Sequence, residues 1–285
     1  MRQIPTQHCE IPHPTSEIRH PTSCPLPLAP CAIISPMEDP SSRTLDWDGC
    51  WNVRDLGGLV TADGRYTRRH TLIRSDLLGR LTPQGKQQLL DYGVRTIVDL
   101  RSPNEVEEDP SAAFGPDDGA PDYLIVSAET RTPQLMALFK QAETRAELYR
   151  ISLDHYAENN VRILRAIAGA AEGGVVFHCH SGKDRTGITA ALLLDLAGVD
   201  PQAIAADYAE TQKRLWPYYE KWVAEHGVDE NDRWLIPITQ PQTMLDTLAH
   251  LQDKYGGTET YLKQAGMTAE EIERLRVRMV GEDRV

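Results

Sequence analysis

The sequence lacks both an apolar stretch that could cross a bilayer and the positive charge of a nucleic-acid binder. Its best apolar run, residues 188–199, is interrupted by Asp195, and a spanning helix needs about 20 apolar residues. The formal net charge is −12, whereas affinity for a phosphate backbone needs clustered Lys and Arg. We therefore predict no integral membrane segment and no nucleic-acid partner, and any anion site must be local.

Residues 1–44 lack the hydrophobic periodicity of a helix or a strand and hold nine of the 19 prolines. This composition is typical of a disordered tail. The one apolar patch, residues 26–37, is broken by prolines and does not fit a signal peptide. The sequence thus predicts a cytoplasmic protein, with secretion by a non-classical route left open. Residues 45–285 are predicted to form one catalytic domain, and a start at Met37 is an alternative in which most of the tail is never made.

Cysteine is scarce, and the Cys-x-x-Cys spacing of zinc modules is missing. Three of the five cysteines, Cys9, Cys24 and Cys31, lie in the tail without metal-ligand spacing. We predict neither a metal nor any other cofactor. Of the other two, Cys50 could form a protective disulfide with Cys179 under oxidants, or it could simply pack in the core.

The chain does contain a regular alternation of short apolar segments and helical patterns. Strands are predicted at residues 71–75, 95–100, 123–126 and 175–177, and helices at residues 83–92, 134–150, 155–171 and 186–197. The first two strands and the helix between them form a predicted β-α-β unit. The whole pattern is typical of an α/β fold with a mostly parallel sheet flanked by helices. A helical insert rich in Tyr and Trp, about residues 207–238, is predicted as either a mobile lid or a fixed C-terminal cap.

The segment HCHSGKDRTG, residues 178–187, combines the groups that phosphate chemistry needs. It lies between a buried strand and a buried helix, where open α/β sheets bind ligands. Backbone N–H groups of such a loop and the positive end of the helix can hold a phosphate, and Gly182 permits the tight turn. The same field favours a thiolate at Cys179. Arg185 can offer a planar fork to two phosphate oxygens.

These features predict a phosphatase that forms a phosphocysteine, which water then hydrolyses. Other interpretations remain, because Cys179 could be a structural thiol and Arg185 an ordinary ion-pair partner. Arsenate reductases and sulfurtransferases also use a cysteine in an anion-binding loop, but the former usually need relay cysteines and the latter do not require the KDRT ending. A non-catalytic phosphoprotein-binding module usually lacks the cysteine or the arginine, and this chain has both. The predicted phosphate-binding residues are His180, Ser181, Gly182, Lys183, Asp184 and Arg185.

Three further segments accompany this loop: NVRDLGG at residues 52–58, DLRS at 99–102, and YGG at 255–257 with YL at 261–262. With them the chain resembles the bacterial tyrosine phosphatases of the cysteine-based superfamily over about residues 45–280. The resemblance implies a cysteine-phosphatase-like fold and a metal-independent protein-tyrosine phosphatase. It implies Cys179 as nucleophile, Arg185 as phosphate clamp, and Lys183 as an added cation that some members use on phosphoinositides. Phosphotyrosine, dual-specificity and phosphoinositide activities all stay open, as does the oligomeric state.

The leaving group needs a general acid, normally a carboxylic acid within hydrogen-bond reach of the ester oxygen. Trp216 and Pro217 suggest the WPD loop of larger tyrosine phosphatases, but Tyr218 follows them, so this interpretation is rejected. The resemblance implies Asp184 as the acid, and Asp99 ends a strand at the same edge of the sheet. Either carboxyl would need a raised pKa to serve as acid; otherwise it holds the loop in place.

Four more residues are predicted to support the site. His178 is expected to orient the loop or to tune the thiolate. Thr186 is expected to donate a hydrogen bond to the thiolate or to cap the helix. Arg54 and Asp55 lie in a predicted loop, where they structure the pocket, contact substrate or pair with each other.

Overall fold

The structure, a computed structural model, describes residues 43–111, 114, 119–227 and 234–281. The predicted tail, apart from its last two residues, lies outside these described residues, and so does the alternative start at Met37. Residues 228–233 of the predicted aromatic insert lie outside them as well.

A five-stranded sheet forms the centre of the fold, and a separate two-stranded sheet lies beside it. The described strands are β1 (Arg54–Asp55), β2 (Tyr66–Thr67), β3 (Leu72–Ser75), β4 (Val94–Asp99), β5 (Asp122–Ile125), β6 (Gly174–His178) and β7 (Val280–Gly281). The order across the large sheet is β1-β3-β6-β4-β5, and β2 pairs with β7. Only β1 in the large sheet is antiparallel to its neighbour. The predicted α/β class with a mostly parallel sheet is confirmed.

Helices cover the sheet, and several begin where a Ser or Thr side chain caps free N–H groups. Thr82 accepts from the N–H of Gly85, Ser102 accepts from that of Glu105, and a proline follows each cap. The described α-helices are α1 (Pro83–Asp91), α2 (Pro103–Glu108), α3 (Pro133–Lys140), α4 (Arg145–His155), α5 (Ala157–Gly169), α6 (Asp184–Leu196), α7 (Pro201–His226), α8 (Pro241–Tyr255), α9 (Thr258–Gln264) and α10 (Ala269–Met279). None of these described helices is long and apolar enough to cross a membrane.

Two sequence predictions differ from the structure in detail. The single helix predicted at residues 134–150 is two helices, α3 and α4. A capping box between Thr144 and Glu147 starts α4, although the apolar spacing continues across the break. The strands β3 and β4 are joined by α1 as predicted, but β6 lies between them in the sheet. The helix that carries the start of the predicted aromatic insert, α7, begins at Pro201, because Asp200 caps it there.

The core fixes the junction between β6 and α6. Every residue of β6 is buried, and so are ten of the 13 residues of α6. Val175 and Phe177 belong to the apolar cluster that contains α6, whereas Val176 belongs to the cluster around Trp47 and Leu89. Both faces of β6 are thus covered, as its continuous apolar sequence predicts. The loop between β6 and α6 is therefore attached to two rigid elements.

Candidate active site

The phosphate loop, residues 178–185, runs from the end of β6 into the first turn of α6. Its turn depends on Gly182, whose φ is +65°, a conformation that favours glycine. A Cβ atom there would lie 2.5 Å from the carbonyl oxygen of Ser75, at the end of β3. Because backbone fills this space, a side chain at position 182 would push the loop away from the sheet.

Carbonyl oxygens of the phosphate loop are held from outside by two side chains. Asn52 Nδ2 donates to the carbonyl oxygens of Ser181 and Gly182, at 3.0 and 3.1 Å. Arg74 Nη2 donates to the carbonyl oxygen of Gly182 at 2.8 Å. With these oxygens bound to the scaffold, the intervening N–H groups are left to face an anion.

The buried carboxylate of Asp207 forms ion pairs with three arginines, Arg43, Arg54 and Arg74, and we call this group the Asp207 cluster. Asp207 Oδ2 accepts from Arg74 Nη1 at 2.7 Å, and Oδ1 accepts from Arg54 Nε at 3.1 Å. Arg43 Nη1 lies 2.9 Å from Oδ1. Burial alone would raise the pKa of Asp207, but the arginines lower it far below its ordinary range. The cluster links α7 to the phosphate loop through Arg74.

Arg54 and Asp55 structure the surroundings of the loop, and both side chains are buried. Arg54 Nη1 donates to Asn52 Oδ1 at 2.6 Å and so orients the amide that binds the loop. Asp55 accepts from the N–H groups of Gly57 and His70, both at 2.7 Å, and thereby shapes its own turn. The guanidinium of Arg54 is hydrogen-bonded to Asp207 and Asn52. The structure therefore contradicts the predicted pairing of Arg54 with Asp55, and it also contradicts a direct contact of Arg54 with substrate.

Cys179 lies at the base of the loop and is 2% exposed. Thr186 Oγ1 donates to its sulfur at 3.1 Å. The sulfur thus accepts a hydrogen bond close to the first turn of α6. Of the two roles predicted for Thr186, the structure has the hydrogen bond to sulfur, because the cap position of α6 is Lys183.

Cys50 and Cys179 are both free thiols. Cys50 packs in the apolar cluster of Trp47 and Leu78, and its sulfur lies 3.5 Å from the carbonyl oxygen of Leu77. Burial raises the pKa of Cys50 above its ordinary value. The structure therefore has the ordinary packing predicted for Cys50 and no disulfide with Cys179.

Arg185 is fixed by a carboxylate that the motifs do not reveal. Glu105, from α2, accepts from Nη1 and Nη2 of Arg185 at 2.8 and 2.9 Å. Burial alone would raise the pKa of Glu105, but its hydrogen bonds with Arg185 lower it to about 2. Glu129 Oε1 lies 3.7 Å from Arg185 Nε. Ser102 and Glu105 show capping-box spacing in the sequence, which marks the start of α2 but not its contact with the distant arginine.

His178 contacts the backbone of the loop, a geometry that fits the first of its two predicted roles, orienting the loop. It is fully buried, and burial lowers its pKa although Asp99 opposes this. Nδ1 lies 3.0 Å from the carbonyl oxygen of Cys179. Since a carbonyl oxygen only accepts, Nδ1 carries the proton and donates it there. The neutral ring thus holds the backbone of the nucleophile.

Asp99 does not meet the requirement for a general acid. It is fully buried and accepts from Arg101 Nε at 3.0 Å, from Arg101 Nη2 at 2.7 Å and from Tyr123 Oη at 2.5 Å. Burial alone would raise the pKa of Asp99, but Arg101 lowers it to about 2. The raised pKa that the acid role needs is contradicted, and Asp99 serves as a buried ion-pair partner.

Asp184 is 37% exposed at its side chain and is also held as a carboxylate. Its Oδ1 accepts from Arg145 Nη1 at 2.5 Å and from Tyr149 Oη at 2.7 Å. Burial alone would raise the pKa of Asp184, but the charges of Lys183 and Arg145 lower it. The expectation of a raised pKa is therefore contradicted in the chain without substrate.

The ammonium group of Lys183 is occupied by backbone carbonyl oxygens in the chain without substrate, whereas the sequence predicts a phosphate-binding cation. Its Nζ donates to the carbonyl oxygens of Trp234, Leu235 and Ile236 at 2.7, 3.2 and 3.2 Å. It is 1% exposed, and burial lowers its pKa. Three acceptors satisfy an ammonium group, so Lys183 holds the residues before α8 against the loop.

A cavity of about 180 Å³ lies beside the phosphate loop. Arg185 and Asp184 form one side of it. Its other walls include the aromatic side chains of Phe139, Tyr149, Tyr156 and Trp234. The space next to the predicted phosphate clamp is thus lined by rings.

Comparison with known proteins agrees with this geometry. A model of the tyrosine phosphatase family matches residues 45–281. A tyrosine-protein phosphatase of Nostoc commune is 33% identical over 223 residues, which cover 73% of this chain and 73% of that protein. The triple specificity protein phosphatase PtpB of Mycobacterium tuberculosis is 28% identical over 284 residues, which cover 82% of this chain and 98% of that protein. This chain therefore belongs to the tyrosine phosphatase family, whose members act through a phosphocysteine.

Proposed function

We propose that this chain hydrolyses phosphotyrosine in proteins, with Cys179 as nucleophile and Arg185 as phosphate clamp. One observation carries the proposal: Thr186 Oγ1 donates to the Cys179 sulfur at 3.1 Å inside a loop whose carbonyl oxygens are bound outward. Glu105 holds the guanidinium of Arg185 with two hydrogen bonds at the other side of that loop. Nucleophile, anion cradle and cation are thereby fixed before substrate arrives.

The reaction has two steps. The thiolate of Cys179 attacks phosphorus, the sulfur–phosphorus bond forms, and the bond to the tyrosine oxygen breaks as that oxygen takes a proton. Water then gives a proton to the carboxylate that acted as acid in the first step while its oxygen attacks phosphorus, the sulfur–phosphorus bond breaks, and inorganic phosphate leaves with the thiolate and the acid restored. Loop N–H groups and Arg185 stabilise the phosphate oxygens in both steps. No step requires a metal, because thiolate and guanidinium supply nucleophile and charge.

The proton donor is proposed to be Asp184. Its partly exposed side chain lines the same cavity as Arg185, which supports a position near the ester oxygen of a bound substrate. A phosphate dianion in the loop adds negative charge next to Asp184, and this raises the pKa that Lys183 and Arg145 lower in the free chain. Glu129, whose carboxylate lies 3.7 Å from Arg185, is the alternative donor.

Two observations favour phosphotyrosine over a phosphoinositide. The cavity beside Arg185 has aromatic walls, which suit a phenyl ring. The ammonium group of Lys183 is engaged by three carbonyl oxygens, so it does not meet an additional phosphate. A dual-specificity or phosphoinositide phosphatase with the same two steps is the second candidate. Residues 45–285 as one domain, the cytoplasmic location and movement of the aromatic insert stay predictions.

The proposal is tested by kcat/KM for phosphotyrosine, phosphoserine and phosphothreonine peptides and for phosphoinositides, in EDTA. We expect the phosphotyrosine peptides to be preferred, and Cys179→Ser to abolish turnover while phosphopeptide binding persists. Hydrolysis by Cys179→Ser would contradict the assigned nucleophile. Preference for phosphoinositides would select the second candidate, and rhodanese or arsenate reductase activity without phosphatase activity would reject both.

A further inference from the structure

Arg80 lies beside the phosphate loop, at the end of a short 3₁₀ turn that follows β3, Leu78–Arg80. The N–H of Leu77 donates to the carbonyl oxygen of His180 at 3.0 Å, so this turn is bound directly to the loop. The Arg80 side chain is 31% exposed. Arg80 is therefore a partly exposed cation on a turn that is hydrogen-bonded to the phosphate loop.

The guanidinium of Arg80 has unused donors. Its central carbon lies 4.9 Å from the centre of the Trp51 ring, and Nη1 lies 3.5 Å from Asp76 Oδ2. That carboxylate is already bound by the N–H groups of Trp51 and Asn52, at 3.1 and 3.0 Å. Within the described part of the chain the guanidinium makes no hydrogen bond, and an arginine side chain has five N–H donors to offer a ligand.

Arg80 belongs to a rim of side chains next to the loop, which we define as Trp51, Arg80, His180 and Tyr218. The rings of Trp51 and Tyr218 are stacked, with centres 3.5 Å apart. Burial and the charge of Arg80 lower the pKa of His180. His180 is thus uncharged at neutral pH, and Arg80 supplies the positive charge of the rim.

We propose that Arg80 binds the carboxylate of an acidic residue close to the phosphotyrosine of a protein substrate, an inference that rests on the proposed function. An arginine with free donors binds a carboxylate through its planar fork. The stacked Trp51 and Tyr218 offer a flat surface for the neighbouring peptide. Because the chain has a net charge of −12, an acidic segment is repelled at long range, and a local cation decides which segments bind.

A peptide carboxylate matches this rim better than a lipid headgroup with several phosphates. A headgroup of that kind needs several cations around the loop, and the ammonium group of Lys183 is already hydrogen-bonded to three carbonyl oxygens. A peptide side chain needs one cation, and Arg80 is available for it. The aromatic part of the rim also suits peptide more than an inositol ring covered with phosphates.

The test is kcat/KM for matched phosphotyrosine peptides that carry Glu or Gln at each of the two positions before and after the phosphotyrosine. At one position or more, wild type should prefer Glu about two- to fivefold, as expected for an exposed ion pair. Arg80→Gln should bring this ratio to about one, and Arg80→Lys should retain part of it. Arg162→Gln, at an exposed arginine of α5, is the matched control and should keep the ratio. Salt at about 0.5 M should weaken the preference.

The outcomes separate this inference from the proposed function. Turnover of the phosphotyrosine peptides without a preference for Glu, or a preference that survives in Arg80→Gln, overturns the role of Arg80 and leaves the proposed function standing. No turnover of any peptide, with turnover of phosphoinositides, overturns the proposed function itself. Thermal unfolding of each variant shows that a lost ratio does not reflect a lost fold.

Discussion

Two buried carboxylates, Asp207 and Asp99, flank the strand that leads to the nucleophile, and they are held in different ways. Asp207 pairs with Arg54 and Arg74, which are 153 and 133 residues away in the chain. Asp99 pairs with Arg101, two residues on, and with Tyr123, 24 residues on. The first therefore joins distant elements to the phosphate loop. The hydrogen bonds of the second are closer in the chain, and its contact with the loop is a distance of 3.5 Å between Asp99 Oδ2 and His178 Nε2. Burial and an arginine partner alone therefore do not tell which part of the site a carboxylate supports.

The largest effect is expected from Asp207→Asn. This change leaves three arginines with one fewer negative charge in a buried site, which lowers the free energy of unfolding by about 3–5 kcal/mol. Because Arg74 binds the carbonyl oxygen of Gly182, the loop also shifts, and a shift of about 1 Å lowers kcat/KM about 100-fold. Urea unfolding and steady-state kinetics measure the two effects.

Asp253→Asn is the matched control for Asp207→Asn, because Asp253 is exposed on α8. Its effect on the free energy of unfolding should stay within about 0.5 kcal/mol. If Asp207→Asn behaved like this control, the Asp207 cluster would not support the loop, and the contrast with Asp99 would disappear.

A smaller effect is expected from Asp99→Asn, about 2 kcal/mol in the free energy of unfolding. In this variant Arg101 retains its hydrogen bonds to the carbonyl oxygen of Asp109 and to the hydroxyl of Ser111, at 2.6 and 2.8 Å. The pH profile of kcat on a substrate with a poor leaving group should keep its shape. Asp184→Asn should instead abolish the fall of kcat at higher pH, which in wild type reflects deprotonation of the acid. If Asp99→Asn also abolished the fall of kcat at higher pH, the result would show that Asp99 is the proton donor.

The contributions of Asp99 and Asp207 to stability should be lost at different pH values on acidification. The folded-state pKa of Asp99 is about 2, below its ordinary value of 3.8, so its contribution to stability is complete above about pH 5 and is lost as pH falls toward 2. Glu105, also at about 2 against an ordinary 4.5, adds to this loss. The contribution of Asp207 disappears at still lower pH. Urea midpoints between pH 6 and 2 should fall less steeply in Asp99→Asn than in wild type; equal slopes would exclude Asp99 as a source of the acid sensitivity.

The smallest effect is expected from Tyr123→Phe. It removes one hydrogen bond to Asp99, whose hydrogen bonds from the Arg101 side chain remain, so the free energy of unfolding should fall by about 1 kcal/mol. Activity on p-nitrophenyl phosphate should stay near that of wild type. A large loss of activity would show that the Asp99 end of the sheet also controls the loop. Tyr66→Phe, at a tyrosine of β2 away from Asp99, serves as control.

The sequence predicts the parts of the site that are close together in the chain. The apolar run of β6, the segment with Cys179 and Arg185, and the buried helix after it are contiguous, so strand, loop and helix follow from local pattern. Asp207, Glu105 and Asn52 act through tertiary contacts that no local spacing records. The direction of Lys183 is also not local, because it depends on carbonyl oxygens at residues 234–236.

The proton donor shows a second limit of the sequence. Asp184 and Asp99 both stand where a general acid is expected, yet the sign of each pKa shift depends on partners elsewhere in the chain. Arg145 and Tyr149 bind Asp184 from α4, and their spacing from Asp184 gives no hint of this. A carboxylate in a motif can thus be recognised from the sequence, but its protonation cannot.

The attachment of the phosphate loop to α7 has a consequence for synthesis of the protein. A nascent chain that ends at residue 200 already contains the nucleophile, the arginine and every strand of the large sheet. It does not yet contain Asp207, so Arg54 and Arg74 have no common counter-ion while the ribosome continues. Catalytic competence should therefore appear late in translation, after α7 has left the exit tunnel, although the motif itself emerges earlier.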